Sequence, residues 1–359
     1  MERFRTSIHL VTHNGAAWLP YCLESLAAQM DKDFFLLVID NGSLDGSPEL
    51  VVEFLARHPE LGQRARLVKN KQNFGFARAH NQAITWTESE FVLVLNQDAY
   101  LAPAYLAELA LCLANEERAG ALTGKLLKWN FDPATFHASQ FGAGQEEHVD
   151  SLGLSLSRSR KVTNLGQGEI DHGQYEVARQ VWGVPATAPL YRRAALLAVS
   201  PTGTVFDEDF VSYKEDVDLA WRLLWAAYDA WYIPSAVGYH DRSLRAGQGL
   251  RAERQQRQSR ARELKVYSWA NHLGVLVKND SAGNFWRDLP WILAHELAKA
   301  VFLLFTDPFT LFLGKLRFLR LLPSLVRKRR QLKPTHRRGG RELRTWWTRV
   351  KQSTLGTSG

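Results

Sequence analysis

Three short polar segments hold residue types suited to phosphates and cations: Thr12-His13-Asn14-Gly15, Asp40-Asn41-Gly42-Ser43 and Asn96-Gln97-Asp98. Together they offer two carboxylates, Asp40 and Asp98, among hydroxyl, amide and imidazole groups. The first turn has a single glycine, Gly15, so it lacks the G-x-G-x-x-G cradle of dinucleotide sites, and no Walker loop is present. A diphosphate bound here would instead need a divalent cation on carboxylate. A second acidic locus, Glu215-Asp216-Val217-Asp218, reads as a helix start, where acids meet the positive end of the dipole. Each segment taken singly is also ordinary turn or helix-end chemistry. Their value as a site depends on the elements that bring them together.

Each polar segment ends a short run rich in branched and aromatic residues: Ser7–Thr12, Phe34–Ile39 and Phe91–Leu95 read as strands, as does Ala65–Lys69. Helical spacing separates them, with Leu19, Cys22, Leu23 and Leu26 on one face and Leu106, Leu109, Ala110 and Leu113 on another. Strands alternating with helices predict a mostly parallel sheet flanked by helices, whose ligands sit at the carboxyl ends of the strands. All three polar segments fall at such ends.

The chain has 359 residues, 45% of them apolar, enough for one large domain plus an appendage. Two cysteines, Cys22 and Cys112, exclude a disulfide scaffold, and the N-terminus runs into a strand without a signal-peptide core, which predicts a cytosolic location. The net charge of +8 is unevenly spread. Lys315–Lys351 holds fourteen Lys and Arg against Glu342, about +13, which leaves about −5 for the rest. The body therefore has no electrostatic reason to bind nucleic acid, and the tail suits an anionic surface.

Ile8–Asn14 (IHLVTHN), Val38–Gly46 (VIDNGSLDG), Asn73–Asn81 (NFGFARAHN), Leu95–Asp98 (LNQD) and Glu215–Arg222 (EDVDLAWR), in this order, resemble family 2 of the inverting glycosyltransferases, in its bacterial rhamnosyltransferase-like branch. The resemblance spans about residues 6–280 and implies the GT-A fold, a nucleotide-sugar-binding α/β domain. It implies transfer of rhamnose or a similar sugar from a dTDP- or UDP-sugar to a lipid-linked or cell-surface glycan. That reaction needs charge neutralisation on the leaving diphosphate and a base for the acceptor hydroxyl. By resemblance Asp98 holds a magnesium or manganese ion, and Asp216, beside Glu215, is the general base. Asp40 reads the pyrimidine ring, Thr12, Asn14 and Asn41 frame that pocket, and Arg78 closes over the nucleotide. Asn96 departs from the pattern, because many relatives carry Asp there. His240 matches a place where some relatives add a histidine ligand, a neutral imidazole that favours manganese. Trp182 and Gly183 resemble the stretch lining the sugar and acceptor pocket.

Beyond His240 the composition changes. Arg251, Arg254, Arg257 and Arg260 recur every third residue, and Phe285–Leu322 is dense in Trp, Phe and Leu. Glu296, Lys299 and Asp307-Pro308 interrupt the apolar run, which predicts helices lying at a membrane interface rather than crossing it. The expected organisation is a GT-A domain over residues 1–245, a helical extension over 246–280, membrane-associated amphipathic helices over 281–333 and a basic flexible tail over 334–359. The expected partners are a nucleotide-sugar donor, a polyprenyl-linked or glycan acceptor and an anionic membrane surface, at the cytoplasmic face of the cell membrane. The alternative suggested by Asn96 is a catalytically idle nucleotide- or glycan-binding subunit of a glycan assembly complex.

Overall fold

The computed structural model describes residues 4–129, 147–241 and 251–348. The first half forms as the sequence predicts. Strands β1 (Thr6–Thr12), β2 (Phe34–Asp40), β3 (Ala65–Lys69) and β4 (Phe91–Asn96) pair in parallel, with β1 between β2 and β4. Helices α1 (Leu19–Ala27), α2 (Ser47–Arg57), α3 (Pro59–Gly62), α4 (Phe76–Thr85) and α5 (Tyr105–Asn115) connect and cover them. Leu19, Cys22, Leu23 and Leu26 of α1 and Leu106, Leu109, Ala110 and Leu113 of α5 are buried in one core with Ile8, Leu10 and Leu93. Register brings the strand exits together: Thr12 lies opposite Asp40, and Val11 opposite Asn96.

The second half turns the sheet mixed. Its strands are β5 (Ala99–Leu101), β6 (Ala119–Lys128), β7 (Val149–Ser151), β8 (Leu154–Leu156), β9 (Val162–Asn164), β10 (Arg179–Val181), β11 (Leu190–Arg192) and β12 (Asp229–His240). The sheet order is β10-β12-β6-β11-β4-β1-β2-β3, with β11 antiparallel to both neighbours and β12 parallel to β6. Strand β5 pairs with the end of β12, His240 opposite Ala99, while β7 pairs with β6. Thus the chain after Asp98, the end of β12 and the segment around Asp150 meet at one place. Helices α6 (Arg193–Ala198) and α7 (Glu215–Trp225) complete this half.

Four further helices follow: α8 (Arg251–Asn279), α9 (Ala282–Thr306), α10 (Pro308–Leu332) and α11 (Gly340–Thr348). The side chains of Arg251, Arg254, Arg257 and Arg260 and the expected boundary at residue 245 lie outside the described residues. These helices do not form an independent appendage. Val275, Leu276, Leu325, Leu343 and Trp347 share one apolar core with Trp182, Phe210, Trp221 and Trp225 of the preceding half. Buried charges tie the same surfaces: Asp288 of α9 accepts from Arg158, Arg160, Arg344 and the Trp347 indole, and Arg338 pairs with Asp229. Removing one partner of such buried pairs costs about 3–5 kcal/mol.

Where the sequence suggests a flexible tail from residue 334, the structure has a docked helix through Thr348. Its amphipathic face carries Leu343 and Trp347 into the core, a pairing invisible in a segment whose dominant signal is positive charge. Residues 349–359 lie outside the described residues. The Asp307-Pro308 break is real: Asp307 caps α10, its carboxylate accepting from the Thr310 amide. Trp286, Trp291, Phe302, Phe305, Phe309 and Phe312 are exposed along α9 and the start of α10, as expected of that run, whereas Phe285 and Phe318 pack against the core. By length and composition α9 could cross a membrane.

Candidate active site

At the exits of β1 and β4, Gln97 links the two strands: the Thr12 hydroxyl and the His13 amide both donate to its Oε1, at 2.6 and 2.9 Å. Gly15 permits this, since a Cβ there would stand 2.3 Å from the same oxygen. Asn14, exposed at φ 51°, accepts from the Leu44 amide, while its own amide donates to Ser43. At the end of β2, Asp40 is 2% exposed; Oδ2 accepts from the Ser43 amide and the buried Oδ1 has no partner among the described residues. An orphaned buried carboxylate oxygen is an acceptor in want of a donor.

Asn41 is differently employed. Its amide donates to Asn73 Oδ1 and its carbonyl accepts from Asn70 and the Phe74 amide, so it staples the loop before α4 rather than facing open space. Arg78, on the first turn of α4, is exposed and stacks over Phe74 at 4.5 Å. Asn96 ends β4, its amide donating to the Thr187 carbonyl.

Asp98 and His240 meet as expected. Asp98 Oδ1 lies 3.4 Å from His240 Nε2, and His240 Nδ1 lies 3.0 Å from Asp150 Oδ2. Burial alone would lower the imidazole's pKa, but hydrogen bonds with Asp150 and Asp98 outweigh it and raise it to about 9. A carboxylate on one ring nitrogen with the other aimed at a second carboxylate is how proteins orient a histidine ligand. Two ligands of one small cation, each at about 2.1 Å, stand roughly 3 Å apart, so this pair fits a divalent ion, with its remaining positions left to phosphate and water. Binding would have to displace the imidazole proton. Among the described residues no group of three His, Cys, Asp or Glu forms a ready-made cage.

The other acidic locus begins α7. The approach to it is strained: Val211, Tyr213 and Lys214 all have positive φ, at 62°, 70° and 74°. Such residues cost about 1–3 kcal/mol each and persist only where the surroundings hold them. The holder is Asn271 of α8, whose side-chain amide faces the carbonyls of Phe210, Ser212 and Tyr213 at 2.8, 3.0 and 2.9 Å. Val211 in turn accepts from the Phe76 amide at the start of α4, where a Cβ on Gly75 would meet the Val211 carbonyl at 2.8 Å.

Glu215 is buried with one carboxylate oxygen that has no partner among the described residues, and burial beside Asp216 pushes its pKa up to about 8. Half-buried Asp216 is also raised by burial, an effect opposed by Lys214 and by backbone amides including Ala186. Its neighbour Asp218 behaves in the opposite way. Arg222 donates to it at 2.8 Å, Lys278 lies at 2.8 Å and Asn279 donates at 2.8 Å; the two cations, Arg222 and Lys278, overcome burial and lower its pKa. Arg222 thus tethers Asp218 and not Asp216. Lys278 also pairs with Asp207 at 2.6 Å, and Lys328 joins Asp207 to Asp209.

Trp182 and Gly183 serve this helix. Trp182 is buried edge-on against Trp221, and a Cβ on Gly183 would stand 2.4 Å from that of Ala220, so the glycine lets α7 approach the strand. Neither opens onto solvent. Sequence reasoning did not single out Gln97, Asp150, Asn271 or Lys278 for these roles. Gln97 stands inside the LNQD segment and could have been read as a linker; the others carry no local signal.

Residues 7–161 match the family model described as Glycosyl transferase family 2. The N-acetylglucosaminyl-diphospho-decaprenol L-rhamnosyltransferase of Mycobacterium tuberculosis is 28% identical over 305 residues, 80% of this chain and 89% of that protein. GalNAc-T7, solved with UDP, GalNAc and Mn2+, superposes with a TM-score of 0.56 at 11% identity, over 77% of this chain and 48% of that one. The mannosyltransferase PcManGT from Pyrobaculum calidifontis, in complex with GDP-Man and Mn2+, gives 0.50 at 19% identity, over 93% and 86%.

Proposed function

This chain is a glycosyltransferase carrying a family 2 domain, and on that premise we propose that it transfers rhamnose or a similar sugar, with inversion, from a dTDP- or UDP-sugar to a lipid-linked glycan at the membrane. The observation that carries the reading is the meeting of Asp98, His240 and Asp150 at the edge where Thr12 and Asp40 also end. The relative acting on a diphospho-decaprenol-linked acceptor supports the acceptor class.

Asp40 presents its unpartnered oxygen to the ring N–H of uracil or thymine. Thr12 and Asn14, held by Gln97 and by Ser43 and Leu44, shape the wall of that pocket, and Arg78 stands exposed at its edge to approach phosphate. Asp98 and His240 would hold a magnesium or manganese ion, His240 oriented by Asp150. Such an ion, when bound, neutralises the charge that develops on the leaving diphosphate. Asp216 accepts the proton of the acceptor hydroxyl as the sugar–phosphate bond breaks. The carboxyl of Glu215, kept neutral by burial near pH 7, leaves Asp216 as the ionised member of the pair.

The exposed aromatic face of α9 and the start of α10, followed by the exposed Arg327 and Arg330, suits insertion at headgroup depth on an anionic leaflet. The test is a reaction of the full chain with dTDP- and UDP-sugars, manganese and a lipid-linked acceptor in vesicles. Release of nucleoside diphosphate coupled to a glycosylated lipid supports the reading. Donor binding without turnover on any acceptor would favour an idle binding subunit.

A further inference from the structure

The chain that leads into α7 is gripped by helix α4 at two points. Asn81, buried on α4, turns its whole side-chain amide toward that segment. Its Oδ1 accepts from the Val205 and Phe206 amides at 3.1 and 2.9 Å, and its Nδ2 donates to the Phe206 carbonyl at 2.9 Å and to Glu208 Oε1 at 3.1 Å. Both N–H groups and both lone pairs of the amide are thereby engaged. Earlier on the same helix the Phe76 amide donates to the Val211 carbonyl at 3.1 Å, and the Phe76 and Phe206 rings meet edge to face at 5.6 Å. Gly75, at φ 82°, permits this approach, because a Cβ there would collide with the Val211 carbonyl.

Only Ser212, Tyr213 and Lys214 separate Val211 from Glu215, and Tyr213 and Lys214 are held at positive φ. So short and constrained a span transmits a shift at Val211 to the start of α7 rather than absorbing it. The clamp from α8 does not duplicate the one from α4: Asn271 faces the carbonyls of Phe210, Ser212 and Tyr213, and that of Val211 is left to Phe76. The start of α4 is also fixed to the donor edge. Asn41, next to Asp40, donates to the Gly75 carbonyl at 3.3 Å and accepts from the Phe74 amide at 3.1 Å, while its backbone amide donates to the Thr12 carbonyl at 2.7 Å. One helix therefore joins the strand ends that carry Thr12 and Asp40 to the chain that delivers Asp216.

We propose that Asn81, together with the Phe76 amide, positions Asp216, so that α4 sets the place of the base relative to the donor edge. The inference rests on the reading of Asp216 as the base. Asn81 touches no reacting atom in this role; it acts through the backbone of residues 205–211.

The test is a double-substitution cycle on the full chain, following transfer to a lipid-linked acceptor and, separately, binding of UDP or dTDP with manganese. Asn81→Ala is expected to lower kcat by about tenfold or more, with donor KM and nucleotide affinity within about twofold of wild type. In the Asp216→Asn background the same substitution is expected to cost less than about twofold, because a residue that acts through the base then has nothing left to align. Gly75→Ala displaces the Val211 carbonyl without removing any partner of Asn81, and is expected to give the same pattern. It decides the cycle if Asn81→Ala does not fold. Losses of equal factor in both backgrounds overturn the proposal, as does wild-type turnover in both single variants. Loss of nucleotide binding in both variants overturns it too, since the residues would then serve the fold or the donor site. If Asp216→Asn itself turns over near the wild-type rate, the assignment of the base falls and the positioning role with it; if Asp216→Asn is impaired and the losses multiply, the positioning role alone falls.

Discussion

Lys278, near the end of α8, and Asp218, in the first turn of α7, form a buried ion pair at 2.8 Å. Through it, and through Asn271, the helices after residue 250 hold the strained loop that delivers Glu215 and Asp216. The mixed-sheet half and the C-terminal helices are thus one folding unit.

Lys278→Met leaves Asp207 and Asp218 with fewer cations in a buried place, and is expected to destabilise the protein by about 3–5 kcal/mol in chemical denaturation. Deleting residues 285–359 removes Leu325, Leu343 and Trp347 from the shared core and Lys328 from Asp207. The expected result is an insoluble product or one without transfer to a soluble acceptor. A truncated chain with full turnover would show that the shared core is dispensable.

His240→Ala removes one of the two proposed ligands, whereas Asp150→Asn leaves both and disturbs only the ring's orientation. Manganese affinity, followed by calorimetry with the nucleoside diphosphate present, is expected to fall in both, by about 10–100-fold for Asp150→Asn. Asp98→Ala is expected to weaken nucleoside diphosphate binding far more than nucleoside binding. Asp40→Ala is expected to weaken both alike. Equal losses for Asp98→Ala would speak against a bridging ion.

The titration of Glu215 gives a pH signature in stability. Its folded pKa, raised to about 8 by burial and Asp216, exceeds its unfolded value, so the native state holds an extra proton between about pH 4.5 and 8 and loses stability as pH rises through that window. Glu215→Gln removes that slope and is expected to raise the melting temperature relative to wild type more at pH 8 than at pH 5. Asp218 and Asp207 work in the other direction. Their depressed values stabilise the fold above the unfolded carboxylate range, near pH 4, and that contribution fades as pH falls below it. A Glu215→Gln shift of equal size at both pH values would contradict the burial argument.

The donor edge was legible because strand ends in a parallel sheet share a side, so residues at the ends of apolar runs, Thr12, Asp40 and Asp98, had to converge. The C-terminal clamp was not. Lys278, Asn271 and Lys328 lie on helices whose local pattern resembles any solvated or amphipathic stretch, and their partners are acids far away in sequence. Trp347 and Leu343 sit among arginines that suggested a mobile tail; burial of one helix face is a tertiary fact that net charge does not encode. The role of Gly183 follows from its closeness to Ala220, where a Cβ would stand only 2.4 Å away, and only coordinates reveal that.

The account stands most directly on the proton acceptor. Asp216→Asn keeps the shape of the site and removes the base, so turnover of sugar onto a lipid-linked acceptor is expected to drop by roughly 10² or more while affinity for the donor, measured with manganese, stays near that of the wild type. Turnover within a few-fold of wild type would contradict the assignment of Asp216 and, with it, the mechanism built on α7.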